Sequence, residues 1–207
     1  MKNIELYEKF KNGSQSSYNL HFTKACLEGD LEVVKYLLTS PDLKEHADIH
    51  TRDDQGFIYA CEKRNFELIK YLLTSPELKE HANIHTKDDL ALLYATSEGR
   101  IDIVKFLTSS PDLKEHIDIH LDPFQPFTTA CANEKLDILQ YYIFELKIEK
   151  TSQMDFYLND KENHFTSLGI NTNFINTVRE MFNIREVKNE LTTELDKNNN
   201  NEKKLKI

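Results

Sequence analysis

Apolar positions along the chain fall into clusters that recur. Segments 31–38 (LEVVKYLL), 66–73 (FELIKYLL), 101–108 (IDIVKFLT) and 136–143 (LDILQYYI) carry them at helical spacing. In the first, Leu31, Val34, Leu37 and Leu38 share one face, and Val33 and Tyr36 add a second flank. A helix apolar over so wide an arc has to be covered on more than one side, as happens when helix pairs stack. Ahead of each lies a second apolar group, FTKACLEG (22–29), FIYACEKR (57–64), LLYATSEG (92–99) and FTTACANE (127–134). The pattern predicts four helix pairs, with second helices near 31–39, 66–74, 101–108 and 136–147.

The period is 35 residues: Ala25, Ala60, Ala95 and Ala130 keep it, as do Pro41, Pro76 and Pro111. The alanines suit close approach between neighbouring first helices. Ser40, Ser75 and Ser110, each followed by Pro and then Asp or Glu, predict a further helical turn after the second helix. Leu43, Leu78 and Leu113 would pack that turn down. Outside the repeats, Ile4, Tyr7 and Phe10 predict a capping helix over 3–11, and 13–19 (GSQSSYN) reads as a linker. Near the C-terminus, Phe174, Val178, Met181 and Phe182 form one stripe and Ile184, Val187, Leu191 and Leu195 another. Their phases differ, which predicts two helices or one broken near Asn183. Segment 151–170 has no clear period. The organisation expected is therefore a cap and linker over 1–18, four repeats over 19–150, capping helices over 151–195 and a disordered tail over 196–207.

The repeated residues resemble a known family. Gly29-Asp30-Leu31-Glu32-Val33-Val34-Lys35-Tyr36-Leu37-Leu38 followed by Ala47-Asp48-Ile49-His50 is similar to the ankyrin repeat. The resemblance covers residues 19–150 and implies an all-α solenoid of stacked helix pairs closed by helical caps. It departs from the family in lacking Thr-Pro-Leu-His before the first helix. Eight residues separate Leu38 from Ala47 where the family has about three, and the connector near Asp53 is shorter, so the family's period of about 33 grows.

Composition narrows function. The 207 residues are 39% hydrophobic and 29% charged, a globular composition, and no apolar stretch is long enough for a membrane span. The N-terminus has no apolar core of a signal peptide. A net charge of −9 argues against nucleic acid, whose phosphates need a basic surface. Cys26, Cys61 and Cys131 form no CxxC pair or disulfide framework, which fits the cytoplasm. Falling at one repeat position, they read as small core residues rather than nucleophiles. The five glycines are scattered and form no phosphate loop. The pairs His46/His50, His81/His85 and His116/His120 invite a metal ladder. Copies about 8–10 Å apart cannot share one zinc, however. The reading adopted is that His50, His85 and His120 hydrogen-bond backbone between repeats.

No catalytic grouping, cofactor or metal site is expected. The resemblance implies binding of a protein partner, and the function expected is a cytoplasmic protein-binding module that holds the partner on its concave face, as an effector or inhibitor that occludes its target. Matched onto this sequence, the family's contact positions are Arg52, Lys87 and Asp122 at the connectors. On the first helices they are Leu27, Glu28, Glu62, Lys63, Ser97, Glu98, Ala132 and Asn133. A monomer without nucleic-acid or membrane contacts is expected. The alternative is a self-assembling protein that pairs through helices in 172–195.

Overall fold

The computed structural model describes residues 13–168 and 172–204, so the expected capping helix over 3–11 lies outside the described residues. All regular structure among the described residues is helical. The chain divides into two compact units, Met1–Asp118 and Ile119–Ile207. This boundary falls inside the expected repeat array, not at its end.

In the first unit, α1 (Gln15–Glu28), α3 (Thr51–Glu62) and α5 (Thr86–Ser97) lie side by side, with α3 packed on both. Each first helix packs on its own second helix, α2 (Leu31–Thr39), α4 (Phe66–Thr74) and α6 (Ile101–Ser109). The second helices coincide with those read from the apolar pattern. Helix α1 begins where a linker was expected, because Ser14 caps it by accepting from Ser17 N–H and Tyr18 is buried. The core is the repeated set, Phe22, Ala25 and Cys26, then Phe57, Ala60 and Cys61, then Leu92, Ala95 and Thr96, above Leu37, Leu72 and Leu107. Gly56 is required by the approach of α3 to α1: a Cβ there would lie 2.7 Å from Phe22 Cε1 and 3.0 Å from Cys26 Sγ.

Helices within a pair are joined through a left-handed residue, at Gly29 (φ 74°), Arg64 (φ 60°) and Gly99 (φ 72°). Glycine adopts this conformation without steric cost, whereas Arg64 does not. The next residue ties one repeat to the one before. Asn65 Nδ2 donates to Gly29 O (3.2 Å), and Arg100 Nη1 donates to Arg64 O (3.0 Å).

Two junctions differ from the expectation. The segment after each second helix forms a tight turn instead of a new helical turn, with Leu43 N–H donating to Ser40 O at 3.2 Å. Ala47 N–H donates to Leu37 O (2.9 Å), as Ala82 does to Leu72 (3.0 Å) and Ile117 to Leu107 (3.0 Å). That bond draws the chain back across the helix end, which leaves no length for a helix between Ser40 and Ala47. At the connector, Arg52, Asp53 and Asp54 are all left-handed (φ 54°, 55° and 54°), as are Lys87, Asp88 and Asp89 one repeat later. The shortened connector thus reverses the chain in a single left-handed turn, at a conformational cost of roughly 1–2 kcal/mol per residue.

The second unit contains α7 (Phe124–Ala132), α8 (Leu136–Gln140), α9 (Ser152–Ser167) and α10 (Asn173–Lys204). Helix α8 runs on into a wider π turn over Tyr141–Glu145. Helix α9 packs on α7, and α10 on α8 and its π turn. Phe127 meets Phe182 at 5.8 Å between ring centres, and Phe124 meets Tyr157 edge-on at 6.4 Å. Segment 151–170, unassigned from sequence, is thus mainly α9. Helix α10 has no break near Asn183, because Met181, Phe182 and Arg185 carry the buried face straight through that point. Arg185 Nη1 donates to Ile148 O, and its guanidinium lies 5.5 Å from the Phe182 ring. Helix α10 continues through Asp196 to Lys204, inside the expected disordered tail, and 205–207 lie outside the described residues.

Candidate partner-binding surface

The second helices and turns bury one side of α1, α3 and α5 and leave the other side open. Residues four and seven apart share a helix face. The open faces therefore read Leu20, Lys24 and Leu27 on α1, Gln55, Tyr59 and Glu62 on α3, and Leu90, Tyr94 and Ser97 on α5. Leu20 is 55% exposed and Leu27 37%, while Tyr59, Leu90 and Tyr94 are half-buried. Leu20, Tyr59, Leu90 and Tyr94 were absent from the sequence-derived set. The 35-residue register points to them: Tyr59 and Tyr94 lie one helical turn before Glu62 and Ser97, and Leu20 and Leu90 lie two turns before Leu27 and Ser97.

The expected contact residues of the first unit are at the surface. Arg52 and Lys87 sit exposed within the left-handed turns. Arg52 borders an open hollow of about 450 Å³ with Gln15, Ser16, Asn19, Leu20 and Thr51. Several charges already have partners: Lys24 with Glu28 (3.6 Å), Lys63 with Glu62 (3.1 Å), Arg64 with Glu98, and Lys87 Nζ with Gln55 Oε1 (2.7 Å). Such pairs are solvated and contribute little to stability, so a partner can exchange them at small cost. Asp122, Ala132 and Asn133 are exposed in the second unit.

The turns themselves are held by polar contacts, part-buried at the first connector. Asp54, 5% exposed, accepts at Oδ1 from Asn83 N–H (3.0 Å) and His50 Nδ1 (2.9 Å). His50 Nε2 also lies 3.6 Å from Glu80. Thr86 Oγ1 donates to Asp53 O at 3.0 Å. His85 Nδ1 repeats the pairing with Asp89 at 2.8 Å. His50 and His85 thus bind carboxylates of their own connector through the ring, which corrects the backbone role expected for them. Backbone is bound by the other histidine of each pair, His46 to Ser40 O (3.0 Å), His81 to Ser75 O (3.0 Å) and His116 to Ser110 O (2.6 Å). Among the described residues no group of three or more His, Cys, Asp or Glu could hold a metal ion. The thiols are buried, and burial pushes Cys26 and Cys61 far above the usual thiol range and Cys131 up to about 12.

Residues 22–122 match the family model described as ankyrin repeats, in three copies. The chain is an ankyrin-repeat protein. No curated protein and no solved structure matches it. The fourth helix pair of this ankyrin-repeat protein, α7 and α8, lies beyond the matched residues. Ankyrin repeats are in general protein–protein interaction modules. No helix among the described residues is long and apolar enough to cross a membrane.

Proposed function

We propose that this ankyrin-repeat protein is a cytoplasmic, non-catalytic module that captures a protein partner on the open face of α1, α3 and α5 and on the connector tips. In ankyrin proteins this is the concave side, and a partner covered there is occluded, as an inhibitor or effector would require. The observation that carries the reading is the contrast between the two sides of the first helices. Beneath, the residues repeat, as in Ala25, Ala60 and Ala95. On the open face the same register changes from Leu20 to Gln55 to Leu90 and from Lys24 to Tyr59 to Tyr94. Tyrosines that remain accessible on a rigid scaffold suit hot-spot contacts ringed by charge. The buried, poorly ionising thiols support a role without nucleophilic chemistry.

The test is capture from extracts of the native cells, with bound proteins identified by mass spectrometry. One variant carries Tyr59→Ala and Tyr94→Ala, and a second reverses the charges of Arg52, Glu62, Lys63 and Lys87. Both should lose the specific partner; the charge-reversed variant should keep the melting curve, since exposed substitutions usually shift stability by about 0.5 kcal/mol or less, and the tyrosine variant, at half-buried positions, should remain folded with a somewhat lower midpoint. Retained capture by both variants, with loss on changes in the second unit, would assign the contact to the second unit instead.

A further inference from the structure

Helix α10 carries two apolar stripes with different surroundings. Ile175, Val178, Met181 and Phe182 are buried in the second unit. Ile184, Val187, Leu191 and Leu195 remain 57%, 54%, 55% and 62% exposed. Their steps of three, four and four residues align them on one narrow face. Every side chain from Glu186 to Lys197 is exposed, a free run of about 18 Å at 1.5 Å per residue. A short helix without packing is marginal in water, so an uncovered stripe on this stretch calls for a partner surface.

We propose that the stripe is a dimer contact in which α10 pairs antiparallel with α10 of a second copy. The monomer expected from the repeats leaves this surface in water. The four side chains expose roughly 400 Å² of mainly apolar area per copy, the size of a functional patch. Two copies together supply about 800 Å², and homodimer interfaces are about 65% apolar, which implies a total near 1,200 Å². That total reaches the lower bound for a specific, stable interface.

Charge selects the orientation. Lys188 lies within the stripe, between Ile184 and Leu191. Parallel pairing sets Lys188 against its own copy in the seam, and like charges there are repelled. Antiparallel pairing with Ile184 opposite Leu195 of the second copy sets Lys188 against Leu191 of the second copy, over which its stem can lie. The acidic flank of Glu180, Glu190 and Glu194 disfavours an anionic membrane as the occupant.

Sedimentation equilibrium on the full chain tests the proposal. The wild type should sediment as a dimer at micromolar concentration, and Leu191→Glu should sediment as a monomer that still unfolds cooperatively in a circular dichroism melt, at a midpoint no longer dependent on protein concentration. Leu27→Glu, on the other unit, should stay dimeric. A monomeric wild type, or a dimer that survives Leu191→Glu, overturns the contact. Orientation is read by oxidation, because the native cysteines are buried and do not compete. Mixing Ile184→Cys with Leu195→Cys should give the mixed cross-link. Efficient cross-linking of Ile184→Cys with itself overturns the antiparallel register.

Discussion

Replacing Asp54 by Ala removes the carboxylate that holds the first connector against the following repeat. In the native chain Oδ1 of Asp54 takes the Asn83 N–H at 3.0 Å and the His50 ring N–H at 2.9 Å, at a residue only 5% exposed. A hydrogen bond to a charged group contributes about 1.5–3 kcal/mol, and an orphaned buried donor costs about 1–3. The His50 ring is 41% exposed and can turn to water, so its share is small. The Asn83 N–H belongs to an exposed residue and regains part of its bonding from solvent. The net loss expected is about 2–3 kcal/mol. In urea this moves the midpoint down by roughly 1 M for a slope of about 2 kcal/mol/M. The chain supplies its own control at the equivalent position one repeat earlier, where Asn19 Oδ1 accepts from Asp48 N–H at 2.8 Å. Asp54→Asn should therefore recover most of what Asp54→Ala loses. Urea melts followed by circular dichroism give both values. If Asp54→Asn falls as far as Asp54→Ala, the backbone bond is not what matters. If neither moves by more than about 0.5 kcal/mol, the carboxylate does not hold the turn.

Leu72 is fully buried, and its truncation to Ala should cost about 2–5 kcal/mol in the same assay, with a near-zero loss contradicting its place in the core. The Asp102 carboxyl is held below its ordinary range chiefly by its hydrogen bonds to Arg100, at 3.0 and 2.7 Å. A depressed carboxyl pKa stabilises the fold above the unfolded value of about 3.9 and loses that contribution as pH falls through the folded value. Asp102→Asn should thus be less stable than wild type at neutral pH, by at most about 1 kcal/mol because the pair is partly solvated, and should converge with it in strong acid. A difference that grows on acidification would contradict the assignment.

The helix pairs could be read from the sequence because the information they need is local and repeated. Leu31, Val34 and Leu37 mark a helix face regardless of what covers it, and Phe66, Ile69 and Leu72 restate it. The junctions could not be read in the same way. Ser-Pro-Asp after α2 is sound helix-starting chemistry, yet the bond from Ala47 N–H to Leu37 O takes the chain elsewhere. That bond joins residues ten apart and leaves no signature in residue type. Three left-handed residues in succession at Arg52, Asp53 and Asp54 run against backbone preference, although Asp tolerates this region better than most. The four-residue step from His50 to Asp54 was visible in the sequence, and so was its copy from His85 to Asp89. The His-x-x-x-His spacing masks it, because that spacing aligns the histidines with one another more plainly than with the carboxylates that follow them.

The open-face residues show a different limit. Leu27, Glu62 and Ser97 came from the family's contact pattern, and the structure adds Leu20, Tyr59 and Tyr94 on the same faces. An apolar residue in a helical repeat is read as core by default, and periodicity assigns Tyr59 no side until its neighbours are placed. Phe57, Ile58, Ala60 and Cys61 are all buried, which leaves Tyr59 on the side away from them. The stripe on α10 reverses the argument. There the periodicity was correct for both faces, and the inference that each stripe needed its own helix was not. One straight helix carries both because Arg185 occupies a buried position between them, with its charge satisfied in part by Ile148 O and its plane against Phe182. A buried arginine reads as surface in any hydropathy pattern, so it hid the continuity of the inner face and made the outer one look like a separate element.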